Sequence, residues 1–315
     1  MNHFAPAPGT SDSATRSARN SVDLLDTLAG IQSGTALDQL RRRRQEIAQY
    51  TQGSYTVLLQ PEEVGGLSLL ERGMAALRGA ALAGSGPLVH HYREFLVEQQ
   101  ASSQLVEALL SGDTEAETPR ARAILRHVDL LTAAHGAAAP ADLAALAEQG
   151  LHTPEIVTLA QLIAFVSFQA RVLAGLLLLD GRPAAPGRSY HSPSVENVRL
   201  PSDFTLEELA WVAWLDTVDP ATATPRQLEV LEASHSRAHT SPYYLLLVHN
   251  AELLYQRSLL FNAVMYGREG LPRAERELAT VAVSRINGCP YCASVHARLF
   301  VQLTKQPDVI HRLYE

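Results

Sequence analysis

Along most of this chain apolar residues recur three and four positions apart, the period of an α-helix with one face turned inward. Residues 36–50 carry Leu37, Leu40 and Ile47 on one side. Helical patterns at 68–83 and 87–100 are separated by Gly84-Ser85-Gly86. Another begins after Thr118-Pro119, where proline sits in the first turn and its missing N–H removes no helical bond. It sets Ala123, Leu125, Val128 and Leu131 on one face. Segments 140–149 and 154–179 follow, the former closed by Gly150. The pattern returns at 205–215, 224–236, 242–266, 272–286 and 289–303. No segment sustains the two-residue alternation of a half-buried strand, so the expected fold class is all-α.

Punctuation divides the chain. Residues 1–22 are rich in Ser, Ala, Thr and Pro without an apolar core segment, and read as a disordered tail rather than a targeting signal. Proline and glycine collect between 181 and 203, which reads as a linker. Two helical units are therefore expected, 23–180 and 204–315. With 315 residues and 46% hydrophobic composition, the chain buries a full core without staples. A net charge of -7 argues against nucleic acid as a partner. The basic run Arg41–Arg44 is flanked by Asp38 and Glu46 and reads as a solvated helix face. The most apolar stretch, 159–179, is interrupted by Gln161, Gln169 and Arg171, so a buried helix is expected there and no membrane span. The default location is the cytoplasm.

The two units carry traces of a repeat. Gly66-Leu67, Glu71-Arg72 and Ala75 match Gly270-Leu271, Glu275-Arg276 and Ala279 at a constant offset of 204, and Gly84 matches Gly288. The fold is therefore expected to be internally duplicated. The copies differ where chemistry is concerned. Gly73, Ser85, Leu88 and Tyr92 of the first stand at the positions of Glu277, Cys289, Cys292 and His296 in the second. Glu315 corresponds to position 111, so the second copy reads as truncated relative to the first.

The chain has two cysteines, and both lie in Cys289-Pro290-Tyr291-Cys292. Gly288 permits a sharp turn and Pro290 suits a first helical turn, which puts Cys289 at a helix N-terminus and Cys292 one turn in. Free N–H groups and the helix dipole there favour thiolate over thiol. His296 follows Cys292 by four residues and shares its face. Glu277 and Ser284 share a face of the preceding helix, from which a carboxylate would orient His296. A paired dithiol of this kind can attack a peroxide or disulfide and resolve the product internally.

The pattern Glu-x11-Cys-x2-Cys-x3-His resembles the alkylhydroperoxidase D and carboxymuconolactone decarboxylase superfamily, in particular its peroxidase-related members. The motif spans 277–296. Residues 270–303 are similar to the family's core helical hairpin, and 118–179 resemble the helices that follow the motif. The resemblance implies an all-α, alkylhydroperoxidase D-like fold that assembles into homo-oligomers. It implies a thiol-dependent peroxidase that reduces hydroperoxides and is recycled by an external thiol or dithiol reductant. Carried over, Cys292 would be the peroxidatic cysteine and Cys289 the resolving one, with His296 and Glu277 as proton relay. The only redox group implied is the Cys289–Cys292 disulfide. Tyr291 stands where alkylhydroperoxidase D has a histidine between the cysteines.

Other readings stand beside this one. Disulfide exchange with a protein or lipoyl partner, without peroxidase activity, would use the same thiols, as would a non-catalytic helical assembly protein that senses redox state or binds metal through them. Cys289, Cys292 and His296 would supply three zinc ligands, but no fourth is in register, so no metal is expected. His235 and His239, four apart, read as a surface pair, and the adjacent His90 and His91 point to different faces. Glu275 and Arg276 read as a structural cap or ion pair. Tyr291 either packs on the facing helix or lines the access path, and Ser85 reads as a turn or cap residue. No glycine-rich nucleotide loop follows a strand.

Overall fold

The computed structural model describes residues 23–113, 117–182 and 203–315. The expected tail 1–22 and nearly all of the linker 181–203 lie outside them. Every regular element among the described residues is helical, as the periodicity implied. The first part holds α1 (Leu24–Leu28), α2 (Ala36–Arg42), α3 (Gln45–Leu59), α4 (Leu69–Leu82), α5 (Gly86–Glu98), α6 (Ser103–Ser111), α7 (Pro119–Ala133), α8 (Pro140–Glu148) and α9 (Thr153–Leu179). The second holds α10 (Pro225–Ser234), α11 (Pro242–Leu247), α12 (Ala251–Tyr266), α13 (Arg273–Ile286), α14 (Pro290–Thr304) and α15 (Pro307–Tyr314).

Three short helices, α1, α6 and α15, escape the periodicity because so few residues show a face. Local caps set the first two: Asp23 and Ser102 accept the backbone N–H of Asp26 and Leu105. Two expected helices are split. The pattern at 36–50 breaks at Arg43-Arg44, and α3 runs on to Leu59. That at 242–266 breaks at Asn250, whose side chain caps α12 through Leu253 N–H while donating to Thr158 of α9. The helix expected at 205–215 is absent. Instead Leu206 enters a small core, Trp211 stands edge-on to Tyr243, and the Val218 N–H reaches the Leu245 carbonyl. Contacts so far apart suit extended backbone, which advances about 3.3 Å per residue against about 1.5 Å in a helix.

Helices α4, α7 and α9 form the middle of the large core, with Leu77, Ile124, Leu159 and Leu162 fully buried. Helix α9 is long and apolar enough to cross a membrane, yet it supplies much of this core. Its buried Gln169 accepts a hydrogen bond from Tyr92. The expected solvated face at Arg41–Arg44 is largely neutralised: Arg41 pairs with Asp23 and Asp26, Arg42 with Asp38, and Arg44 with Glu46. Arg44 also donates to the Ala263 carbonyl, so the start of α3 meets the end of α12 and the two helices run antiparallel. Gly53 sits at this crossing against the end of the Gln256 side chain.

The repeated Glu-Arg pairs act structurally, as expected, and the two arginines act alike. Arg72 donates to the carbonyls of Leu58, Val64 and Leu67. Arg276 donates to those of Val264, Met265, Gly267 and Leu271. Each guanidinium thus satisfies carbonyls that the end of the preceding helix leaves without partners. Glu71 instead forms a capping box with Ser68 and bonds Arg120, whereas Pro272 occupies the N-cap position before Glu275. Gly84 and Gly288 both adopt left-handed backbone, φ 66 and 65, between paired helices.

The hairpin α13–α14 does not share the large core. Val281, Ala297, Phe300 and Ile310 form a separate cluster, closed by Leu206, Leu278 and Leu313. The corresponding space in the first part is filled. Leu88 and Tyr92 are fully buried, Ser85 is the N-cap residue of α5 without a side-chain cap bond, and Phe95 and Leu96 crowd Gly73.

Candidate active site

The turn into α14 builds the dithiol. Left-handed Gly288 reverses the chain, and the Cys289 N–H donates to the Ser284 carbonyl at 2.9 Å. Pro290 follows in the first turn and leaves Cys289 as the N-cap residue. The Cys289 sulfur then takes the place of a capping oxygen, accepting the Cys292 N–H at 3.4 Å. Both thiols are free and half-buried.

Glu277 and His296 meet across the hairpin. Glu277 Oε2 lies 2.6 Å from His296 Nδ1, and the carboxylate is 0% exposed. With Nδ1–H donating to this carboxylate, Nε2 is the ring nitrogen left for proton exchange. The other carboxylate oxygen accepts from Arg273. Burial pushes the Glu277 carboxyl up, but the hydrogen bond and charge of His296, then of Arg273, hold it below the usual carboxylate range. Arg273 lies over the Tyr266 ring at 4.2 Å, which holds it in place.

The two sulfurs differ. The Cys292 thiol donating to Cys289, followed by the Cys292 N–H and the His296 charge, outweighs burial and lowers the Cys289 pKa to about 6. Donating to Cys289, burial and the adjacent negative sulfur push the Cys292 thiol up. The N-cap position and the Cys292 N–H thus both favour negative charge on the Cys289 sulfur. Alkylation of the reduced protein should follow this ionisation, because thiolate is the reactive form. We expect the rate at Cys289 to be at its plateau at neutral pH and to fall as pH drops through about 6. Iodoacetamide kinetics read by peptide mass would check this; a midpoint near 9 would show no stabilised thiolate.

Tyr291 is half-buried on the same turn, and burial raises its phenol above the usual range. Tyr243 and Tyr244 stand edge to face at 5.3 Å, and Arg257 lies over the Tyr243 ring at 5.3 Å. Of the residues singled out from the sequence, the fold thus brings together Glu277, Cys289, Tyr291, Cys292 and His296. Ser284 contributes through its backbone; its hydroxyl bonds the Thr280 carbonyl of its own helix.

His235 ends α10 and stacks on Tyr244 at 5.6 Å, while His239 lies in a separate short turn, so the two do not share a helix face. His91 bonds the Tyr55 hydroxyl, and His90 faces Glu94. No cluster of three or more His, Cys, Asp or Glu among the described residues is arranged to hold a metal. Two site residues were not anticipated. Arg273 could have been found, since it precedes Glu277 by four on one helix. Arg257 carries no such local signal.

Residues 251–313 match the model of the carboxymuconolactone decarboxylase family. The match begins with α12 and includes the whole dithiol hairpin, and it is consistent with the alkylhydroperoxidase D superfamily. Among curated proteins and solved structures, none matches the chain.

Proposed function

From a carboxymuconolactone decarboxylase-family segment that carries this dithiol, we propose a thiol-dependent peroxidase. The family includes both decarboxylases and peroxidase-like proteins. The observation that carries the choice is the Cys289 sulfur: it caps a helix, accepts from Cys292, and lies within the field of a histidine fixed by a buried glutamate.

The cycle runs as follows. The Cys289 thiolate attacks the terminal oxygen of a hydroperoxide. The O–O bond breaks, sulfur gains that oxygen as sulfenic acid, and the alkoxide leaves as an alcohol with a proton from His296. Cys292 then attacks the Cys289 sulfur, expels water and forms the disulfide. An external thiol or dithiol returns two electrons and two protons. In this scheme Cys289 attacks and Cys292 resolves, the reverse of the order that family resemblance implies. Glu277 keeps Nε2 of His296 as the exchanging nitrogen. The chemistry requires no other cofactor and a reducing compartment such as the cytoplasm. We read the first helical part as a degenerate copy of the same unit that acts as scaffold, and the working form as a homo-oligomer.

Stopped-flow mixing of the reduced protein with hydrogen peroxide tests the reading. One equivalent should remove both thiols, at least about a hundredfold faster than a free thiol, the range that ionisation and positioned proton transfer supply. Oxidation at the free-thiol rate would overturn it and leave disulfide exchange as the use of the same pair.

A further inference from the structure

Arg257 has an unusual setting for a cation. It projects from α12, is half-buried, and has no carboxylate partner among the described residues. Its hydrogen bond goes to the neutral hydroxyl of Tyr243. The rest of its setting is aromatic, with the guanidinium 5.3 Å from the Tyr243 ring and 5.8 Å from that of Phe261. A guanidinium carries five N–H donors in a rigid fork that suits a carboxylate, and one phenol leaves most of them available.

Its position gives this charge a purpose. Helix α12 packs on α13 of the dithiol hairpin, and Trp211, edge-on to Tyr243, lies three residues after Glu208, which pairs with Arg298 of α14; the Arg257 charge acts on the Cys292 thiol from this position. Trp211, Tyr243 and Tyr244 form a run of edge-to-face rings beside Arg257, in contact at 5.5 and 5.3 Å, and Tyr291 lies between the two cysteines on the first turn of α14. A cation with no carboxylate partner among the described residues, set among aromatic faces next to the dithiol, matches an amphipathic ligand: an apolar body with one carboxylate. The chain as a whole carries -7, so anions gain nothing from its overall field and depend on such a local cation.

Building on the peroxidase reading, we propose that Arg257 is a specificity-determining residue that binds the carboxylate of organic hydroperoxy acids while Tyr243, Tyr244 and Tyr291 hold their apolar part. The oxygen transfer is the one given above; Arg257 adds no covalent step and takes no proton. Hydrogen peroxide, having no carboxylate, does not use it.

The test compares a hydroperoxy fatty acid with its methyl ester by stopped-flow thiol loss, with hydrogen peroxide as a third oxidant. The proteins are the full chain, Arg257→Gln and Arg257→Lys. The readout is the acid-to-ester ratio of second-order rates within each protein, which is insensitive to the fraction folded. Wild type should prefer the acid by about tenfold or more, the range for a hydrogen bond to a charged group. The ratio should fall to about one in Arg257→Gln, and Arg257→Lys should keep part of it, having the charge without the fork. A wild-type ratio near one, or a ratio unchanged in Arg257→Gln, overturns the assignment; if hydrogen peroxide still consumes both thiols rapidly, the peroxidase reading survives. If none of the three oxidants outpaces reaction with a free thiol, both fall together.

Discussion

Cys292→Ser is expected to react with peroxide and stop at a sulfenic acid on Cys289, whereas Cys289→Ser should react slowly. The N-cap position, the Cys292 N–H and the His296 field all remain in the first variant, and the serine hydroxyl can replace the thiol as a donor to Cys289. In the second the stabilised sulfur is gone, and what remains is the thiol whose ionisation its surroundings oppose. At pH 7, moving a thiol pKa from 9 to about 6 raises the thiolate fraction by roughly a hundredfold. Much of that is returned, since nucleophilicity falls with basicity at a Brønsted slope of about 0.4–0.5. A gap between the variants above about tenfold therefore needs the proton that His296 supplies to the leaving oxygen. Dimedone trapping with mass spectrometry identifies the modified sulfur. Sulfenic acid on Cys292 in Cys289→Ser, with Cys292→Ser inert, would assign the attack to Cys292 and leave Cys289 as its proton partner.

Glu277 carries the second large effect, and two substitutions separate its structural and chemical parts. Glu277→Leu removes a fully buried carboxylate that holds both His296 and Arg273. Breaking a buried ion pair costs about 3–5 kcal/mol when the remaining charge stays trapped. Arg273 is 27% exposed and can turn toward water, so about 2–3 kcal/mol is expected. Glu277→Gln keeps the shape and should cost about 1 kcal/mol, a single weakened hydrogen bond, while peroxide reduction falls about a hundredfold. The pH dependence gives an independent check. The Glu277 pKa is lower folded than unfolded, so its stabilisation is present above the unfolded carboxylate pKa and is lost as pH falls through the folded value. Urea unfolding between neutral and acid pH should show a shallower decline for Glu277→Gln than for wild type. Parallel declines would mean that the carboxylate is not held low in the folded protein.

The hairpin was legible because its signals are local. Gly288 and Pro290 fix the turn, and helix boundaries expected at 272–286 and 289–303 lie within one residue of those observed. The meeting of Glu277 with His296 followed from a chemical requirement, that a catalytic imidazole be oriented. The segment 205–215 misled because Leu206, Trp211 and Leu215 imitate a helical spacing while serving three distant contacts. Arg257 was invisible for a related reason. Its partners Tyr243 and Phe261 are aromatic residues of ordinary appearance, and only the packing of α11 on the dithiol side of α12 gives the cation a role. The spacing of Cys289 and Cys292 puts both on one turn, but which sulfur the backbone favours depends on the direction of one N–H, a detail below the resolution of residue spacing.

The separate small core under the hairpin has a consequence for motion. Val281, Ala297, Phe300 and Ile310 hold α13, α14 and α15 together with few apolar neighbours, whereas the helices of the first part are locked into one extensive interior. Cooperative units of a protein open at free energies that follow their own buried apolar contacts. By that measure the hairpin is held by a smaller apolar core than the helices of the first part. In the proposed cycle a reductant must bring its own sulfur into line with the Cys289–Cys292 disulfide, and a hairpin resting on its own small core favours that approach.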